Sequence, residues 1–391
     1  MSKRNNLDSR LTRRSWIVLA TSALAGCGGG GSSGGSTASA PGTGGTGIYA
    51  QGSISGFGSV IINSIKFDDT LATVQLDGQI AQSSQLRLGM VAGVQGLHND
   101  VDITLGTANS IEVWSIAQGL VTQGGATPGG NGNFTVAGMT INSDLNTVFE
   151  GVSASSPLSL GQNVTVWGLQ AGTNLQVVWT ATRVEVTSVT PVVSTGLVSV
   201  TNSLRSINGL ALTGPTADGL TAGDLVRVQG ALSSDGKSLA VASAKLQNPG
   251  AGVQHQSEVE IEGLVTAVQS AVSFTLGNIS VDASKAVFSP LNTAITLGSH
   301  FEVYGTWLSG VLVASKVLLE SELVLQEVEI TARIDQYTSV ADFVVRGQRC
   351  DATGVTVSHG TVADLKVGAM VKVKGTKAGD VLKVTELELE A

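Results

Sequence analysis

Five stretches of this chain share one short pattern, and that pattern limits the fold more than any other feature. They are Leu86–Gly96 (LRLGMVAGVQG), Leu158–Gly168 (LSLGQNVTVWG), Leu220–Gly230 (LTAGDLVRVQG), Ile295–Gly305 (ITLGSHFEVYG) and Leu365–Gly375 (LKVGAMVKVKG). In each, two glycines stand seven residues apart with apolar residues alternating between them. Alternation with period two is the mark of a half-buried strand. Recurrence every 60 to 75 residues marks a tandem array of one small module. Val371 and Val373 point inward, as do their equivalents Val164/Val166, Val226/Val228 and Phe301/Val303. The second glycine marks a bend or a close backbone pass.

The rest of each module fits the same reading. A short strand opens it, as at Gly119-Leu120-Val121-Thr122 or Gly263-Leu264-Val265-Thr266. An alternating segment follows, clearest at Phe134–Ile141, Phe274–Val281 and Phe343–Cys350, and weaker at Val60–Phe67 and Arg205–Leu212. A last strand such as Val184-Glu185-Val186 or Leu387-Glu388-Leu389 closes the module. No window carries a long apolar stripe at helical spacing, so helix is confined to the leader and a turn or two. Five or six strands in about 65 residues cannot bury a face as an open sheet, whose edges would stay bare. Closure into a small OB-like barrel solves both problems, and a flattened sandwich is the alternative. The fold class is therefore all-β: five tandem small barrels at 48–115, 116–190, 191–250, 251–321 and 322–391. Short joints make neighbouring modules touch in an elongated array.

The chain starts with an address. Residues 1–27 carry a basic segment ending at Arg13-Arg14, an apolar run Trp16–Leu24, and Leu24-Ala25-Gly26-Cys27. The apolar run is too short for a permanent span. The LAGC tetrapeptide resembles a bacterial lipobox, which makes Cys27 the lipidated residue (palmitate among its acyl groups) and residues 1–27 a signal peptide. A plain secretory signal is the competing reading. Thr12–Ile17 partly matches a twin-arginine export motif. Gly28 in place of an aspartate favours the outer membrane, facing the periplasm or the surface. The Gly/Ser-rich stretch 28–47 reads as a disordered tether with a span on the order of 25 Å.

Composition excludes several function classes. The net charge is −8 although the leader is basic, and charged residues make up only 13%. The acidic remainder has no electrostatic footprint for nucleic acid. Two cysteines, Cys27 and Cys350, rule out a disulfide scaffold and a cysteine-built metal site. Cys350 falls at a core position of the repeat. The four histidines, His98, His255, His300 and His359, show no ligand spacing, so neither a metal nor a cofactor is expected. The ladders Glu258-Val259-Glu260-Ile261-Glu262 and Glu386-Leu387-Glu388-Leu389-Glu390 read as solvated outer faces that protect strand edges. A weak cation site or a contact with a partner is the alternative.

The lipobox, the tether and the G-x-V-x, F-x-V-x-G and L-x-x-G-x-x-V-x-V-x-G segments together resemble a bacterial family of lipoproteins and secreted proteins with tandem copies of domain of unknown function 5666. The resemblance covers roughly residues 48 to 391 and is strongest in modules two, four and five. Module three is shorter and has Arg205 where a Phe is expected, which puts one of its strands in doubt. The family implies no activity. Any ligand platform falls on outward positions of the motif strand: Trp167 in module two, Tyr304 with His300 and Glu302 in module four, and Lys374 in module five. OB-type barrels stack flat ligands on such a face; packing of Trp167 and Tyr304 against a neighbouring module is the plainer reading. No catalytic constellation is present. The expected protein is a non-enzymatic, membrane-anchored structural or binding array, with envelope polysaccharide or a protein as partner. An accessory or enzyme acting on envelope polysaccharide is the alternative.

Overall fold

The two glycines of the motif do two different jobs. The first takes the left-handed backbone conformation in every copy, with φ of 77° at Gly89, 80° at Gly161, 89° at Gly223, 80° at Gly298 and 86° at Gly368. A side chain is strained there, and glycine is not. The second glycine has an ordinary φ and is required for space. A Cβ on Gly96, Gly168, Gly230, Gly305 or Gly375 would lie 2.0 to 2.4 Å from a carbonyl oxygen of the adjoining strand. At each of these glycines the pairing slips by one residue, leaving Asn109, Thr182, Ala242, Ser315 or Thr385 as the bulged residue opposite. The bulge bends two long strands around the barrel. Gly375→Ala is expected to cost about 2–3 kcal/mol by pushing these strands apart. Thermal melting checks this, and a midpoint within 1 °C or so of the parent would refute the close pass.

The computed structural model describes residues 47–390, apart from 100, 154, 174–175, 189, 248–249, 251–252, 256 and 321–326. The leader, Cys27 and nearly all of the tether lie outside the described residues. In the first barrel the opening strand Gly47–Phe57 pairs with Val60–Ile62, and that strand pairs with Ile65–Asp68. Ile65–Asp68 runs parallel to the closing strand Leu105–Val113, which pairs with the motif strand Val91–His98, and the motif strand returns to the opening strand. The ring is closed, the opening strand meeting the motif strand over Gly47–Ser53 and Val60–Ile62 only at Ile54 and Gly56.

The same cyclic order recurs four times. The opening, motif and closing strands are Ala117–Gln123, Asn163–Thr173 and Gln176–Val186 in the second ring, and Val192–Leu197, Leu225–Leu232 and Ser238–Leu246 in the third. They are Glu258–Ser270, His300–Leu308 and Val311–Leu319 in the fourth, and Glu327–Ser339, Met370–Ala378 and Val381–Leu389 in the fifth. Val164, Val166, Val226, Val228, Phe301, Val303, Val371 and Val373 are all fully buried. In the third ring, Leu204–Ile207 supplies the doubtful strand despite Arg205, and the opening strand is continued by Ser199–Thr201. Arg205 turns its Nε to the carbonyl of Leu220 at 2.8 Å, so the ring closes without the phenylalanine. Among the described residues the only α-helix is the single turn Pro215–Asp218.

The elongated array is the expectation that fails. The opening strand of barrel 1 pairs in parallel with that of barrel 4, Ile48 beside Glu258 through Gln51 beside Ile261. Farther along, Gly56 and Phe57 pair with Glu329 and Ile330 of barrel 5. Pairing therefore joins barrels 1, 4 and 5 into one sheet system, while barrels 2 and 3 form another through Val193 and Gln118. Barrels 1 and 5 share one apolar cluster, which also takes in Trp167 of barrel 2. The physical reason is the open flank of each opening strand. It carries backbone groups that water or a neighbour must satisfy, and a non-adjacent barrel satisfies them here.

Candidate functional site

In each barrel the residues that alternate with the buried valines face outward. On the motif strands these are Thr165 and Trp167, Arg227 and Gln229, Glu302 and Tyr304, and Lys372 and Lys374. The register sets what lies across from them on the opening strand. In barrel 4 Glu260 is opposite Tyr304 and Glu262 opposite Glu302. In barrel 5 Glu329 is opposite Lys374 and Thr331 opposite Lys372. The opening strands thus share an acid at the equivalent place, while the motif strands facing it differ, Glu302 and Tyr304 against Lys372 and Lys374.

Barrel 4 gathers acids without enough cations. Glu260 is 1% exposed and Glu302 5% exposed. Neither oxygen of Glu260 receives an N–H or hydroxyl donor in bonding geometry, and the Glu302 carboxyl lies beside it. Burial, and then the Glu302 carboxyl, push the pKa of Glu260 far above the ordinary range; Lys316 pulls the other way and loses. Glu260 therefore keeps its proton and uses it to bond Glu302. Glu302 is itself raised by burial, and it accepts a second bond from Tyr304 Oη at 2.6 Å. Two neighbouring buried carboxyl groups disfavour ionising together, which is the direction in which both are shifted.

Glu262 has a different neighbourhood. Burial alone would raise it, but His300, whose Nε2 lies 2.9 Å from Glu262 Oε1, and then Ser53 outweigh the burial and hold it below the ordinary range. Ser53 belongs to barrel 1 and gives both its backbone N–H, at 2.7 Å, and its hydroxyl, at 2.9 Å. Burial would lower His300, yet Glu262, Glu320 and Asp144 raise it above the ordinary imidazole range. At the far end of the ladder Glu258 meets His98 Nε2 of barrel 1 at 2.6 Å. The Glu258-Glu260-Glu262 ladder is thus the face that barrel 4 turns toward barrel 1. The solvated outer face expected for it is corrected here, because a strand of barrel 1 lies alongside.

The equivalent acid in barrel 5 shows what cations change. Burial would raise Glu329, but Lys66 at 3.0 Å, Lys374 at 3.5 Å and Lys372 at 3.6 Å together lower it. Lys66 comes from barrel 1, so this junction too is closed by charge. The second ladder keeps more contact with solvent: Glu386, 69% exposed, meets Lys374, and Glu388 meets His359 Nδ1 at 2.7 Å.

The other residues singled out from the sequence are placed as follows. Trp167 is 6% exposed and packs with the shared core of barrels 1 and 5. Beside it Arg183, 1% exposed, is held by Glu150 and Glu185 and donates to the carbonyl of Leu88 in barrel 1. His300, Glu302 and Tyr304 come together, whereas Trp167 stands in another junction. Cys350 is fully buried in the core of barrel 5, and burial pushes its thiol up to about 12. Among the described residues no group of three or more His, Cys, Asp or Glu is arranged to hold a metal ion.

A family model with the description domain of unknown function (DUF5666) matches residues 118–185 and 330–387. Two separate stretches of the chain are thus similar to the DUF5666 domain. The two matched stretches coincide with barrels 2 and 5 almost from the opening strand to the end of the closing strand. No curated protein matches the chain.

The sequence reading missed Ser53, His98, Glu260 and Glu262 as members of the site. One signal was available. Aligning the opening strands of the repeats puts Glu260 where barrel 5 has Glu329, and the motif strands put Tyr304 and Glu302 where barrel 5 has two lysines. Three acids on neighbouring strands with Lys316 as the lysine opposite them is a local charge imbalance that calls for a partner from outside the barrel.

Proposed function

We propose that this is a lipid-anchored protein of the cell envelope, without catalysis of its own, which carries a block of small β-barrels on a Gly/Ser tether at the outer membrane. Its partner is envelope polysaccharide or a protein. One observation carries this reading: several of the acids, histidines and arginines on the outer faces are spent on holding barrels together. Glu262 is bound to Ser53, Glu258 to His98, Arg183 to the Leu88 carbonyl and Arg227 to Asp77 at 2.7 Å, each across two barrels. Side chains committed in this way build a scaffold. The lipobox at Leu24–Cys27 supports the anchor. Labelling cells with palmitate checks it: label is expected on the parent protein and absent from Cys27→Ser, and equal labelling would exclude a lipid on that residue.

A polysaccharide-directed enzyme is favoured by a single observation, the Glu260–Glu302 pair. Glycoside hydrolysis places two carboxyl groups about 5–9.5 Å apart across an open cleft. This pair is instead closed off from solvent, with Glu260 1% and Glu302 5% exposed. A glycan screen in which hydrolysis occurred and was lost in Glu302→Gln would replace the scaffold reading with the enzymatic one.

A further inference from the structure

Barrels 1 to 4 do not meet flush. A cavity of about 200 Å³ lies between them. Its wall mixes indole and aliphatic surface, from Trp114, Trp179, Leu276 and Ile279, with the amide side chains of Gln51, Gln170 and Asn278. Four charged residues reach it: Glu112, Arg227, Lys245 and Glu262. Every one has a counter-charge. Arg227 holds Asp77 at 2.7 Å, Lys245 lies 3.7 Å from Glu112, and Glu262 holds His300. A site with its charges already matched selects a neutral occupant, because an ion entering it would lose its hydration without gaining a partner.

The decisive residue is Gln170. It is 9% exposed, stands beside Trp179 on the adjoining strand, and its side-chain amide bonds no other described residue. The amide lies on the cavity wall and is open to an occupant. Gln51 spends its carbonyl on Tyr49 Oη at 3.0 Å and keeps its NH₂ group, while Asn278 spends its NH₂ on the carbonyl of Gln247 at 2.8 Å and keeps its oxygen. Donors and acceptors therefore remain on three sides of the cavity. Lys245 and Glu112, 42% and 48% exposed, stand at its rim, and Lys245 Nζ lies 3.5 Å over the Trp114 ring.

We propose that this cavity binds one neutral sugar ring of an envelope glycan, with Gln170, Gln51 and Asn278 hydrogen-bonding its hydroxyl groups and the indoles meeting its C–H face. The volume suits the claim, since a single water needs about 10–15 Å³ and this cavity has room for about a dozen atoms of that size. A pyranose also has the mixed character of the wall, polar at its rim and apolar on its faces. The proposal rests on the scaffold reading only for the presence of a glycan. The palmitate label decides the anchor and leaves the cavity untouched, so the two can fail separately.

The test is a titration of the full chain in detergent with glucose and with N-acetylglucosamine, followed by tryptophan fluorescence and by calorimetry, with glycerol as the control polyol. One of the sugars is expected to saturate with a Kd on the order of 1 mM. Gln170→Leu and Asn278→Ala are each expected to weaken it about tenfold while keeping the parent's β-sheet circular dichroism. No saturable response to either sugar from protein with its β-sheet circular dichroism intact would mean that the cavity holds water alone. Unchanged affinity in both variants would equally overturn the assignment.

Discussion

Val373→Asp is expected to unfold barrel 5 and to loosen barrel 1 with it. Val373 is fully buried between Ile330 on the opening strand and Leu387 on the closing strand. Val373 belongs to the apolar cluster shared by barrels 1 and 5. A carboxylate there has neither water nor a partner, and the cost is about 4 kcal/mol or more. The melting midpoint should fall by about 10 °C, against about 2 kcal/mol and a smaller shift for Val373→Ala. Because barrels 1 and 5 share that cluster, backbone exchange should rise in Val91–His98 as well as in Met370–Ala378. An unchanged melting curve would put the Val373 side chain outside the barrel.

Glu260→Gln should do the reverse and stabilise the protein, but only above the ordinary carboxylate range. In the unfolded chain this glutamate ionises near pH 4.5, while in the folded protein burial and Glu302 keep its proton to far higher pH. Between those limits the unfolded state binds fewer protons than the folded one, so stability falls as pH rises. Below about pH 4 both states hold the proton and the penalty vanishes. A glutamine offers Glu302 the same donor with no proton to lose. At pH 8 the variant should be about 2 kcal/mol more stable than the parent, and at pH 4 the two should melt together. Glu262 and Glu329 are lowered in the fold and lose stability as pH falls, but they do so equally in both proteins. A variant that melts lower at pH 8 would show Glu260 to be an ionised partner of a cation.

These two residues mark the limit of what local pattern reveals. Val373 is legible because its burial depends on neighbours within one repeat, and period-two alternation with a glycine at each end is enough to place it. The bulge at Gly375 is legible as a close pass for the same reason. Glu260 is not. Its immediate neighbours, Val259 and Ile261, give the alternation of a strand with one wet face, and nothing local shows that Glu260 is only 1% exposed. Tyr304 and His300 could be placed on an outer surface but not joined to Ser53. Trp167 could be assigned to a neighbour but not to barrels 1 and 5. The joints had no signal because docking between barrels uses outward residues, and those differ in every copy.

The parallel pairing of Ile48 with Glu258 also has a consequence in time. At a synthesis rate of about 5–20 residues per second, the strand at Gly47–Phe57 waits roughly 10 to 40 s for its partner in barrel 4, and longer for barrel 5. Until then barrel 1 carries an exposed strand flank and the bare apolar surface that barrel 5 later covers. A chain cut after barrel 3 would keep that condition permanently, so loss of the C-terminal third should show itself as self-association of the N-terminal part. The last domains to be made act on the first as a built-in chaperone.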